Sequence, residues 1–317
     1  MKTLERVDRD PTPIKPGTLL WDEFGDVLTH VFSGGAFMLQ VMHPMINRVV
    51  DMHSDVFEDP IGRALRNTDS IVKWIYGGDA AIEEGRRLIK LHAAMKGISD
   101  TGEAYHAIDQ EAYGWVHATA FVTATTIYPY IHGRRLTARE EAAYYDEMLH
   151  LGAILRIHPS QLPASVKDYW DYYNTMVSEK LSRTKMANLM LGTVSRMDLP
   201  MPPTIAKLTL PLRRLGGQAA MLFLLGGMTQ SARDKLGVRW TSAHENTLRS
   251  LMAMIRPVHS RLPESIRYVP IARHARAHAR ALEAIDQRSR KVAPPARTAP
   301  RAADGHLQEP VAKIVTR

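Results

Sequence analysis

The sequence predicts an all-α protein: a single compact multi-helix domain followed by a disordered basic C-terminal tail. Three observations lead there. Apolar residues recur every three or four positions along most of the chain. Good capping residues stand before several of those runs. Stretches with the β-branched enrichment of a strand are short, as in Ala120–Ile127. There Thr123, Thr125 and Thr126 suit a buried helix equally, so periodicity leaves strand and helix both open.

Taken in order, residues 1–17 read as a flexible polar arm with three prolines. Helices are expected over 19–33, 36–50 and 68–76. The clearest runs from Asp79 to Lys96: Asp79 as N-cap, Glu83 and Glu84 at the positive end of the dipole, and Arg86, Arg87, Lys90 and Lys96 at the other. Gly97 is placed as the left-handed residue that stops it. On this helix Ile82, Leu88, Ile89, His92 and Met95 form an apolar stripe. Further helices are expected over 110–130, after Thr137 (with Glu140 completing a capping box), over 165–180 and over 241–256. Pro263 and Pro270 punctuate the end of the helical domain, which is set at residues 18–285, with the tail at 286–317.

Composition narrows the chemistry. Of 317 residues, 45% are hydrophobic and 23% charged, which suits a globular chain and is too apolar for a disordered one. The absence of cysteine excludes disulfides, thiolate metal sites, iron–sulfur clusters and cysteine nucleophiles. A cytoplasmic location is expected, since the opening residues MKTLERVDRDPTPIKPG lack the apolar core of a signal peptide. The longest apolar stretch, Leu215 to Met228, is broken by glycines and falls short of the roughly 20 residues that span a bilayer. It is expected to be a buried core helix, the alternative being a surface that dips into lipid.

Charge is placed unevenly. Arg267 to the C-terminus holds 11 Lys/Arg and 4 Asp/Glu, so +7 of the net +8 lies there. Two readings stand for this tail: a solvated appendage, or an electrostatic attachment to an anionic membrane surface that leaves the protein peripheral to the membrane. Beyond Tyr268 no aromatic residues are interleaved to stack on bases, so no specific nucleic-acid partner is expected.

A cysteine-free helical chain with 14 histidines invites a metal reading. His132, His274 and His278 lie in basic, polar surroundings and are expected to be solvated; His158, before Pro159, is expected in a loop. Four others sit among apolar residues: His43 before Pro44, His53 in DMHSD, His92 on its stripe and His117 in GWVHATA. A lone imidazole on an apolar helix face is what the proximal side of a haem iron requires, and His92 fits best. A competing reading uses two Glu-x-x-His pairs, Glu103/His106 and Glu147/His150, as half of a di-iron carboxylate site. No GxGxxG after a strand, GxxxxGK[ST], HExxH or GxSxG is present, so classical nucleotide binding, zincin and α/β-hydrolase chemistry have no support.

The succession MLQVMHP, VDMHSDVFEDPIGRALRNT, WIYGG, LIKLHAAMKG, YHAIDQEAYGWVHAT, EEAAYYDEM and LPESIRYVP, over roughly residues 25–275, resembles the family shared by latex-clearing rubber oxygenases and the fungal oxygenase MpaB. The resemblance implies an all-helical fold holding one b-type haem, with dioxygen or peroxide activated on the distal side. It gives His92, in LHAAMKG, the proximal ligand role. Arg63, Arg66 and Thr68 match the catalytic element that lines the pocket or contacts a propionate. Trp115 and His117, in WVHAT, are matched as pocket or supporting residues, and His43 is grouped with them. The expected reaction is oxidation of a small hydrophobic organic substrate, for which the apolar and Met-rich run Phe37, Met38, Met42 and Met45 offers either a surface or ordinary core. A non-catalytic haem-binding protein and a helical adaptor acting through its tail are the alternatives. Unlike the secreted rubber-cleaving members and the membrane-anchored fungal one, this chain is expected to carry neither an export signal nor an anchor.

Overall fold

Asp109 starts the helix around which the rest is laid. Its carboxylate accepts the Ala112 N–H, and Gly133, left-handed at φ 75°, closes the far end. A computed structural model describes residues 11–53, 69–197 and 215–292, and in it this helix, Gln110–His132, is buried nearly all round. A helix that is apolar on every side belongs in a core. Residues 120–127 are therefore helical, and Thr125 is held locally: its Oγ1 donates to the Phe121 and Val122 carbonyls.

The elements in chain order are α1 (Leu19–Phe24), α2 (Val27–Val31), α3 (Gly34–Val41), α4 (Pro44–His53), a helical stretch over 69–76 (α5), α6 (Asp79–Ala93), a hairpin of β1 (Lys96–Ile98) and β2 (Ala104–His106), and the central α7. There follow α8 (Ala138–Ile154), α9 (Val166–Thr175) running into a π-turn at Met176–Lys180, α10 (Lys185–Ser195), α11 (Leu215–Gly226), α12 (Gln230–Leu236), α13 (Ser242–His259), α14 (Glu264–Arg267) and α15 (Pro270–Val292). Helices α2, α3, α8 and α13 all pack on α7. The chain divides into two units, Met1–Ala277 and His278–Arg317.

Several expected helices are broken, each for a local reason. The 19–33 run stops at Gly25, because Asp26 turns its carboxylate onto the Leu28 N–H and starts α2 afresh. The 36–50 run breaks at Met42–His43, where the residue before a proline is pushed out of the helical region and Pro44 opens α4. The 79–96 helix ends at Ala93, with Gly78 rather than Asp79 at its N-cap. Gly97 does not stop it: Gly97 pairs with Tyr105 in the antiparallel hairpin, whose turn is made by Gly102 at φ 82°. Any Cβ at Gly97 would meet the Tyr105 hydroxyl at 2.9 Å. The helix after Thr137 forms as expected, with its capping box intact.

The ends also depart from expectation. Residues 11–17 are not a free arm: Ile14 is buried, and Thr12 meets His150 through its hydroxyl and its carbonyl. At the other end α15 stays helical to Val292, past the boundary placed at 286; residues 293–317 lie outside the described ones. The apolar stretch is a core helix, α11. Its C-terminal turn is closed by buried Arg233, whose Nη1 donates to the Leu225 and Met228 carbonyls at 2.9 and 2.8 Å. Among the described residues no helix is long and apolar enough to cross a membrane.

Candidate functional site

Helix α6 carries His92, and a glycine sets where it lies. Gly85 faces the Ile154 carbonyl at the end of α8 so closely that no Cβ fits between them. That close approach lets α6 lie against α8. Ile82, Leu88, Ile89, His92 and Met95 are all half-buried, so the stripe is neither sealed in the core nor open to water. The His92 ring stands edge-on to Tyr113, with ring centroids 6.0 Å apart. Tyr113 is itself fixed: its hydroxyl donates to the Leu155 carbonyl at 3.2 Å. Burial pushes its phenol up to about 12, so it is a neutral wall for the imidazole.

Tyr113 lies on α7, and four residues on, one turn along the same face, comes His117. Both point to α8: His117 Nε2 donates to the Met148 carbonyl at 2.7 Å. His117 is enclosed by Phe121, Tyr145, Met148, Leu162 and Tyr169 around a void with room for about one water. Burial pulls its pKa down to about 4, against the opposing effect of the Met148 carbonyl, so the ring is neutral. A macrocycle has no space beside it.

Trp115 and His43 lie on the other side of α7, two residues being more than half a turn. Trp115 is fully buried, donates its indole N–H to the Leu39 carbonyl at 3.0 Å and stacks on Tyr173. His43 accepts the Met45 N–H on Nδ1 and donates to Glu111 through Nε2, both at 3.3 Å. Glu111 in turn meets Lys180 at 3.0 Å. Burial lowers the His43 pKa, and Glu111 opposes the shift. With both ring nitrogens engaged, His43 serves the α3–α4 junction. Met38 and Met42 are fully buried core, so they offer no surface to a substrate. Arg63, Arg66 and Thr68 lie outside the described residues.

Several other histidines have partners of their own. His53 meets the Tyr105 hydroxyl at 3.0 Å. His132 is not simply solvated: it stacks on Tyr128 and pairs with Glu23 at 2.7 Å. His274 and His278 are exposed, as expected. His158 caps a short turn at Pro159–Gln161.

The di-iron arrangement fails on geometry. Glu103 and His106 flank a hairpin strand rather than sharing a helix face, and Glu103 pairs with Arg48 at 2.9 Å. Glu147 receives the Leu19 and Leu20 N–H groups at the start of α1, and His150 holds Thr12. Among the described residues no three His, Cys, Asp or Glu converge as a metal cage. A half-buried imidazole on the apolar stripe of a helix is a donor set for haem iron, which takes one proximal protein bond. The residues present therefore fit a haem at His92 and not at His117 or His43. Sequence reading missed Tyr113; its four-residue spacing from His117 was the available signal.

The family model described as “ER-bound oxygenase mpaB/B'/Rubber oxygenase, catalytic domain” matches residues 21–257. No curated protein and no solved structure matches the chain.

Proposed function

Since the chain belongs to the family of ER-bound oxygenase mpaB/B' and rubber oxygenase catalytic domains, we propose that it is a haem-b-dependent oxygenase or peroxidase-like oxidoreductase acting on a small hydrophobic organic substrate. The observation that carries this reading is the placement of His92, a half-buried imidazole on the apolar stripe of α6, walled by Tyr113. When bound, haem iron would supply the activation of dioxygen or peroxide that an organic side chain cannot.

The chain's own residues have separate tasks. His92 would hold the iron through one ring nitrogen, and the Gly85–Ile154 contact fixes the helix that presents it. Tyr113 limits rotation of the imidazole while contributing no charge. Ile82, Leu88, Ile89 and Met95 keep water from the proximal side and strengthen electrostatic interactions there. Arg63, Arg66 and Thr68 are assigned as hydrogen-bond donors to negative charge that develops in the reaction. His117, neutral and committed to Met148, supports the α7–α8 seam rather than chemistry.

The test is the absorbance spectrum of the full chain purified after expression with ample haem precursor. A Soret band, one haem per chain and complete extraction of unmodified haem b are expected, since no cysteine is present to form thioethers. A chain that stays colourless and takes up no added haemin would overturn the reading.

A further inference from the structure

The second unit, His278–Arg317, begins with a helical segment. Residues 278–292 continue α15 as helix. Leu282 and Ile285, three residues apart on one face, are 53% and 60% exposed. Large aliphatic side chains on a helix are normally turned into a core, and two together in water call for an occupant. Around the helix, Arg280 and Arg288 are exposed, Arg280 opposite that apolar face and Arg288 bordering it one turn beyond Ile285, with Glu283 and Asp286 as the acidic counterweights. Arg290 and Lys291 follow in sequence, and Arg297, Arg301, Lys313 and Arg317 beyond them. Against these eight basic residues from His278 onward stand four acidic ones.

We infer that the 278–292 helix is an interfacial one: Leu282 and Ile285 enter the boundary of an anionic lipid surface while the arginines reach its headgroups. A basic polar face, a narrow aliphatic face and low net hydrophobicity are the marks of a helix that lies in the membrane plane rather than spanning it. Charge complementarity commits the occupant to anionic lipid. Antiparallel pairing with a second copy would bring the same basic flank against itself, and two aliphatic residues bury too little area to offset that repulsion. Arginine side chains lay their methylene stems along apolar surface while keeping the charge at the headgroups. The attraction is electrostatic at long range and hydrophobic at contact, so both salt and aliphatic truncation must weaken it.

The experiment is co-sedimentation of the full chain with vesicles of phosphatidylcholine alone and of phosphatidylcholine with phosphatidylserine. Binding only to the phosphatidylserine vesicles is expected, falling steeply from about 0.05 to about 0.5 M salt as the Debye length shortens. A Leu282→Ser/Ile285→Ser chain, unchanged in circular dichroism because both residues are exposed, should partition at least about tenfold more weakly. Arg280→Gln/Arg288→Gln should reduce the salt dependence. Equal binding to both vesicles, no effect of the serine pair, or a concentration-dependent dimer that the serine pair abolishes would each overturn the inference, the last in favour of a second copy.

Discussion

Gly85 of α6 and the Ile154 carbonyl of α8 meet with no room for a Cβ between them. This contact sets the distance of the His92 helix from the rest of the domain, seven residues and about two turns before the histidine itself. Gly85→Ala should therefore cost roughly 1–3 kcal/mol through overpacking, even though alanine is the better helix former. The urea midpoint reports the loss. Haem occupancy should fall with it, while Gly102→Ala, in an open turn, should leave occupancy alone. A Gly85→Ala chain as stable as the parent and fully loaded would show that α6 can shift without consequence.

His92→Ala should strip the haem or leave it weakly held, and added imidazole should restore part of the Soret intensity. His117→Ala should keep the band and lose stability, since it removes a buried ring and its hydrogen bond to the Met148 carbonyl and enlarges the void there. If the two variants behave the other way round, the iron ligand is His117 and α8 must open to admit the macrocycle.

The His117 ring also sets a pH dependence. Its folded pKa is held at about 4 by burial, below the ordinary value of 6.5. Between those values the unfolded chain binds more protons than the folded one, so stability falls as pH drops from about 6.5 and levels off below about 4. The loss is on the order of 3 kcal/mol. His117→Gln can still donate to the Met148 carbonyl but does not titrate. Denaturant midpoints for the two chains should converge as pH falls through that window; a constant gap would remove His117 from the acid response.

Arg233 closes the C-terminal turn of α11 with two hydrogen bonds from one nitrogen and lies over the Trp240 ring at 4.6 Å. Arg233→Met should cost roughly 3 kcal/mol, because the buried Leu225 and Met228 carbonyls lose a charged donor. Arg233→Lys should recover only part of it, lacking the planar fork. Thermal unfolding of the three chains ranks them, and a methionine variant equal to the parent would mean that water takes over the role.

Helices with strong local chemistry were legible from sequence alone. The Thr137–Glu140 capping box, α7 and α13 came within a few residues of their observed spans. What failed were interruptions set by distant partners. Nothing near Gly25 announces that Asp26 is claimed by His259 and Tyr268, and nothing near Gly97 shows that a strand 7 to 9 residues later will pair with it. At the site, His92 could be chosen because its helical neighbours are aliphatic. Tyr113 was missed because its contact with His92 joins different elements. His43 looked equally apolar in sequence, but its partner Glu111 lies 68 residues away.

The Asp26–His259 pair has a further consequence, which concerns time. Both side chains are buried, and the bond joins residues 233 positions apart, while the Val269 N–H reaches back to the Gly25 carbonyl at 3.0 Å. During vectorial synthesis α1 and α2 emerge long before α13 exists, so Asp26 stays hydrated until nearly the whole domain has been made. The loop that this bond closes is among the longest the chain can form, and such contacts are slow to form. A chain released before His259 would have to bury the Asp26 carboxylate without its hydrogen-bond partner or leave the first two helices undocked. The suture is thus a checkpoint on completeness, made by the last helices upon the first.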